Sequence, residues 1–455
     1  MTEVCPRRVE AVSGWFERTA MVIACFALLL AGEAVAQEVS DEGYPAQPRQ
    51  AGTPISVDSD LDGSFPKRDS LIPQLVPQTW PKLKKKLYEK YGLKLAVNYQ
   101  TLVQYASDVL PPDASPRPRN DVAVGGWLQI ETKWTPLRRG KDYEGSLVVV
   151  GDGRWTLGDN SNPAEFGALD VGSVYGTGLE FVRWDFSLVN FYWEQWFDKD
   201  RFVLRLGKQI AGQSYDFFRF KDARTSFTAG PFALHASIPA PGPGQGVSFE
   251  WWPIEGSELY VVGTLNDMNG HAERMGFDTF FNLGQFFYGL EVGYFWRRSR
   301  GDFDHVHFDL FYADEKDTQP PGLPLPSEAG WGFKVLGSKQ WGRIVGFGSY
   351  TYSTAEGGGL GLTFGRHTVT AGGAFLKPLG IRGELGLGFV WMQPGPNPLL
   401  LTDDPRDQYG LETYWKLLLT PDLWVTPGVQ FIFNPSRNFA TDFVAIPQIK
   451  FRLFF

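Results

Sequence analysis

The sequence predicts an all-β fold: a transmembrane antiparallel β-barrel of 16 strands, preceded by a short N-terminal periplasmic helix. Three observations predict it. A two-residue hydrophobic period runs from Leu93 to the end, an export signal precedes it, and the chain closes on "AIPQIKFRLFF" with Phe455 last. Successive side chains of a strand point to opposite faces. In the closing stretch Ile449, Phe451, Leu453 and Phe455 share one face, while Gln448, Lys450 and Arg452 share the other. At the edge of a soluble sheet such a strand invites aggregation. Closing a barrel within a bilayer, it has no free edge.

The export signal occupies residues 1–36. Arg7, Arg8 and Arg18 precede the apolar run Ala20–Gly32, and Ala34-Val35-Ala36 supplies an A-x-A cleavage site. The run falls short of the ~20 residues that span a bilayer as a helix. We expect cleavage after Ala36. Both cysteines, Cys5 and Cys25, leave with the signal, so neither disulfides nor thiol chemistry serve the mature chain.

Residues 37–80, rich in Pro, Ser, Asp and Gly without a sustained period, form a Pro-rich periplasmic extension. "PKLKKKLYEKYG" (81–92) reads as a short helix: Pro81 suits its first turn, Leu83, Leu87 and Tyr91 recur at i, i+4, and Gly92 suits its stop. The outer-membrane β-barrel takes residues 93–455. In its first strand Leu93, Leu95, Val97, Tyr99 and Val103 oppose Lys94, Ala96, Asn98, Gln100 and Gln104. Its second runs through "VAVGGWLQIETKW", and further starts fall near Ser146, Ser187, Arg201, Gly246, Leu259, Phe286, Val306, Gly330, Arg343, Gly359, Ile381, Gly410 and Leu423, then the terminal strand. The total is even, as single-chain bacterial barrels require. Aromatics make up 15% of the chain and often end its strands, which suits interfacial girdles.

Parity assigns the inward side chains. Opposite Val122, Val124, Leu128 and Ile130 stand Trp127, Gln129, Glu131 and Lys133. The next strand turns Asp152 and Arg154 inward. In "LVNFYWEQWF" we expect Val189, Phe191 and Trp193 to face lipid and Tyr192, Glu194 and Trp196 to face in; "RFVLRLG" leaves Arg201 and Arg205 inside. The candidate pore lining is therefore Glu131, Arg154, Glu194, Arg205, Trp127 and Trp196. The loop Gln213–Pro243 is too long for a plain turn. Either it folds inward as a constriction loop carrying Arg219, Lys221 and Arg224, or it covers a subunit interface.

"DHVHFDLF" sets His305, His307 and Asp309 on one strand face. Two His at i, i+2 with one Asp do not make a specific zinc pattern, and the row reads as luminal polar groups. No G-x-S-x-G, H-E-x-x-H or P-loop occurs, so we expect no catalytic residue, metal or cofactor. A formal charge of −8 argues against nucleic acid as a partner.

The stretch Trp193–Pro253 resembles the OprB-type carbohydrate-selective porins. It carries Leu204-Arg205-Leu206-Gly207-Lys208, then a long loop with Phe and small residues, Pro241-Gly242-Pro243-Gly244, and Trp251-Trp252-Pro253. "YVVGTLNDMNG" looks like that family's next strand and loop, and "LYEKYGLKLAVNYQ" like its passage into the barrel. The resemblance runs from Leu83 to Phe455, dense in the middle third and thin after Asp314. It implies a 16-stranded barrel, often a homotrimer, that lets monosaccharides such as glucose diffuse passively across the bacterial outer membrane. The partners would then be sugars in the lumen, outer-membrane lipid and the barrel-assembly machinery. Paired Arg and Glu present directed donors and acceptors to sugar hydroxyls, with Trp faces for sugar C–H surfaces. The alternatives are a general or other-solute porin, and a secreted or outer-membrane carbohydrate-active enzyme.

Overall fold

Alternation of apolar and polar residues produces strands throughout, and the strands close on themselves. The computed structural model describes residues 72, 79–106, 109, 119–198, 201–216, 218–233, 237–296, 304–316, 328–354, 365–380, 383–395 and 406–454. The expected signal peptide and most of the Pro-rich extension lie outside these residues. Helix α1 spans Thr79–Tyr91. It is stopped by Gly92, whose φ of 70° lies in the left-handed region; a Cβ there would stand 2.7 Å from the Thr135 carbonyl oxygen. The Gly92 N–H donates to the Tyr88 carbonyl at 2.9 Å, and the Thr135 N–H donates to Gly92, also at 2.9 Å. One glycine thus ends the helix and turns the chain into the wall.

Sixteen antiparallel strands follow in sequence order and form a closed barrel. They are β1 (Leu93–Tyr105), β2 (Val122–Leu137), β3 (Gly145–Thr156), β4 (Trp184–Phe197), β5 (Phe202–Gln209), β6 (Gly244–Trp251), β7 (Leu259–Asp267) and β8 (Phe286–Phe295). The second half comprises β9 (His305–Ala313), β10 (Gly330–Trp341), β11 (Ile344–Ser353), β12 (Gly365–Leu376), β13 (Gly383–Pro394), β14 (Gln408–Leu418), β15 (Leu423–Phe433) and β16 (Phe443–Phe454). Closure is made by β1 against β16, in a register running from Asn98 opposite Phe454 to Gln104 opposite Gln448. The strand expected near Gly359 begins at Gly365; residues 355–364 lie outside the described chain.

The barrel is inside-out relative to a soluble protein. On β8 the exposed face is Tyr288, Leu290, Val292 and Tyr294; beside it β9 exposes Phe308, Leu310 and Tyr312. An apolar band of this continuity would drive association in water, and it is the surface a bilayer solvates. Among the described residues no helix is long and apolar enough to cross a membrane. The strands do the crossing.

Two expectations of parity are corrected. Between β3 and β4 the register passes from Val150 opposite Asn190 to Gly151 opposite Leu188, so Val189 is an extra residue in a β-bulge. Its side chain is buried in the lumen instead of facing lipid. Arg201 belongs to the β4–β5 turn, where it pairs with Asp198, rather than to the lumen.

The barrel's two ends differ. Helix α1, the end of β16 and short turns gather at one end, long loops at the other. Two long connections, between β3 and β4 (157–183) and between β5 and β6 (described at 210–216, 218–233 and 237–243), are largely buried. Their described residues fold into the barrel and pack against its inner wall. The largest apolar cluster among the described residues lies there: Phe218, Phe220, Phe227 and Phe232 of the β5–β6 loop pack against Phe347 of β11 and Tyr414 of β14.

Candidate functional site: a charged, aromatic lumen crossed by a loop

Every expected lining residue of the wall points inward, and each is engaged. Glu194 and Arg205 face each other across β4 and β5. The Arg205 Nε donates to Glu194 Oε2 at 2.8 Å and its Nη1 pairs with Glu250 of β6. Lys133 Nζ donates to Glu194 Oε1 at 2.7 Å, and the Trp196 indole N–H donates to the same oxygen at 3.0 Å. Register explains the group, since neighbouring strands place opposite charges within side-chain reach on one face. The network holds two carboxylates and two cations away from bulk water, so removing one member leaves a buried charge unpaired.

Arg154 is held flat. It donates to both oxygens of Asp152, at 2.9 and 2.8 Å, and to the Glu180 carbonyl. Its guanidinium lies 3.9 Å from the Trp127 ring centroid and 4.0 Å from that of Trp184. Trp127 meets Phe181 of the β3–β4 loop edge-on, with ring centroids 6.0 Å apart. Arg154 thereby joins the wall to that loop. Burial raises the Glu180 carboxyl to about 7, although the Arg154 guanidinium pulls it down.

The β5–β6 loop crosses the lumen. Arg224 Nη1 donates to Gln129 and Glu131 of β2, at 2.9 and 3.2 Å, and its Nε to Asp222 at 2.8 Å. On the opposite wall Lys334 of β10 donates to both Asp216 oxygens, at 2.9 and 2.8 Å. Arg219 reaches Glu384 of β13 at 2.9 Å, where Lys416 also lies at 3.1 Å. The backbone N–H groups of Thr228 and Ala229 donate to the Glu412 carboxylate of β14, at 2.8 and 2.9 Å. Lys450 of β16 donates to the Ser226 carbonyl at 2.8 Å. Lys221 turns back on its own loop, donating to the carbonyls of Gly212, Tyr215 and Asp216. Burial lowers that ammonium to about 8.

The row His305, His307 and Asp309 faces inward and is buried. One imidazole and two carboxylates, from His307, Asp309 and Asp216, bring donor atoms within 4.8 Å of one another. The Lys334 ammonium already neutralises Asp216, so the cluster works as an ion-pair anchor for the loop.

Gln100, on the polar face of β1, is not among the expected lining residues. It lies opposite Trp127 on one side and Arg452 on the other. Neither of its amide atoms, nor the Trp127 indole N–H, makes a hydrogen bond among the described residues. Parity marks Gln100 as luminal, but its lack of partners is a tertiary fact. Asp216, Glu384 and Glu412 escaped for a related reason: each acts through contacts across the lumen.

Comparison with known proteins adds the following. The model of the carbohydrate-selective porin, OprB family, matches residues 386–450. That segment is β13 to β16, not the middle third where the quoted motifs concentrate. No curated protein matches the chain. Among solved structures, the high-pH structure of OprB from Pseudomonas putida aligns with a TM-score of 0.60 at 13% identity, covering 83% of this chain and 97% of that one. The low-pH structure of the same protein gives 0.48 at 11%, covering 85% and 100%. OmpT of Vibrio cholerae gives 0.45 at 11%, covering 80% and 98%. The first likeness establishes a porin-type barrel as the fold.

Proposed function

We propose that this chain is a sugar-preferring pore of the bacterial outer membrane, through which monosaccharides such as glucose move by passive diffusion. The observation that carries the proposal is the lumen: a closed barrel whose inner face combines Arg–Glu pairs with Trp faces, crossed by a loop anchored to its wall. Such a lumen presents hydrogen-bond donors and acceptors beside flat apolar surfaces, the two features a pyranose offers in return. The OprB-family match over the last four strands supports the same solute class. A channel needs no catalytic group, and the proposed role is transport rather than catalysis. The working unit would be a homotrimer set in lipid by the barrel-assembly machinery after cleavage at Ala36. N-terminal sequencing of the membrane form should then begin at Gln37.

The test is single-channel conductance of the mature protein in a planar bilayer, titrated with glucose and other small sugars. Discrete steps with sugar-dependent block support the reading. Conductance indifferent to sugar overturns the preference and leaves a general diffusion pore. One observation favours that second reading: Glu194, Arg205 and Arg154 are already paired with the wall.

A further inference from the structure

We propose that the rim built by α1 and the β2–β3 turn binds the anionic phospholipid headgroups of the leaflet at that end of the barrel. The inference rests on the reading of the chain as a membrane pore. On α1, Lys82, Lys85, Lys86 and Lys90 are exposed; in the turn Arg138, Arg139 and Lys141 are exposed as well. The exposed acidic residues among them are Glu89, which lies 3.7 Å from Lys85, and Asp142. This surplus of positive charge stands out in a chain of formal charge −8. It is also local, since the β6–β7 turn at the same end carries Glu255 and Glu258.

The two segments form one surface. Arg139 donates to the carbonyls of Tyr88 and Glu89, the latter at 2.9 Å, and so ties the end of α1 to the turn. Its guanidinium lies 5.5 Å from the Tyr88 ring centroid. The depth of this surface follows from β2. Trp134 and Leu137 point outward and are exposed on that strand, and Arg138 comes directly after them. Arg138 lies 5.7 Å from the ring of Tyr143, which is exposed too. Indole and phenol rings at the edge of an apolar band mark the membrane interface. Cations immediately beyond that edge sit at the level of lipid phosphates, where anionic leaflets attract them. Charge and depth together choose lipid as the occupant.

The test reconstitutes the mature, full-length protein in nanodiscs of phosphatidylcholine with about one-third phosphatidylglycerol. Native mass spectrometry then counts the lipids retained on the released protein. Several-fold enrichment of phosphatidylglycerol over its bulk share is expected for the wild type. It should be lost in the combined Lys82→Gln, Lys85→Gln, Lys86→Gln, Lys90→Gln variant and kept when the same four become Arg. Heat-modifiable migration and single-channel steps establish that each variant has inserted as a barrel. Equal retention by the wild type and the Gln variant, both conducting, overturns the lipid proposal and leaves the pore reading intact. A wild-type protein that never inserts overturns both.

Discussion

Gln100 places an amide in the lumen with both polar atoms unbonded among the described residues. A buried polar group without a partner costs roughly 1–3 kcal/mol. Replacing it with Leu removes the penalty and keeps the approximate shape. Gln100→Leu should therefore leave thermal stability unchanged or raised, and a clearly lowered melting temperature would show that the amide is hydrogen-bonded in the folded barrel. Glu180 supports a pH prediction. Its carboxyl is raised to about 7 from the ordinary 4.5 by burial. A raised folded value means that the native state holds the proton more tightly than the unfolded chain. The resulting stabilisation is complete below about 4.5 and disappears as pH rises through 7. Melting temperature should fall from about pH 5 to about pH 8, and Glu180→Gln should flatten that slope.

At the scale of elements, we propose that solute passage turns on the β5–β6 loop. Its polar groups are tied to β2, β10, β13, β14 and β16, and its phenylalanines supply the apolar contact. Phe227 lies 4.5 Å from Phe232 and 4.9 Å from Tyr414, centroid to centroid. Truncating a buried phenylalanine costs about 3–5 kcal/mol, part of it from the cavity left behind. Since the barrel wall keeps its own hydrogen bonds, Phe227→Ala should loosen the loop rather than unfold the barrel. The expected result is larger and noisier single-channel steps with heat-modifiable migration retained. Gly207 serves the wall in a different way. Its φ is 131°, and a Cβ there would stand 2.5 Å from the Phe191 carbonyl oxygen, which leaves room for glycine alone.

For the whole molecule, closure is the decisive property. The terminal strand pairs with β1 on one side and β15 on the other. Deleting residues 443–455 would leave two long edges with unmet backbone groups in hydrocarbon, each costing several kcal/mol. The truncated chain should fail to acquire heat-modifiable migration and should collect as unfolded material. Insertion and conductance by that variant would show that closure does not depend on β16.

The sequence by itself determined the barrel, the strand number and the facing of most residues it assigned on β2–β5, because alternation is a local property that each strand repeats. Trp127, Glu131, Arg154, Glu194, Trp196 and Arg205 could be read from parity for that reason. Parity failed at Val189, where a bulge between β3 and β4 inserts a residue and reverses the facing of those before it. Only the tertiary structure decided what the inward residues do. Arg224 finds Glu131, Lys334 finds Asp216, and Thr228 finds Glu412 across the lumen, between residues far apart in sequence with no shared period. Strand faces are set by neighbours along the chain, whereas loop anchors are set by closure of the barrel, which brings distant walls within hydrogen-bond reach.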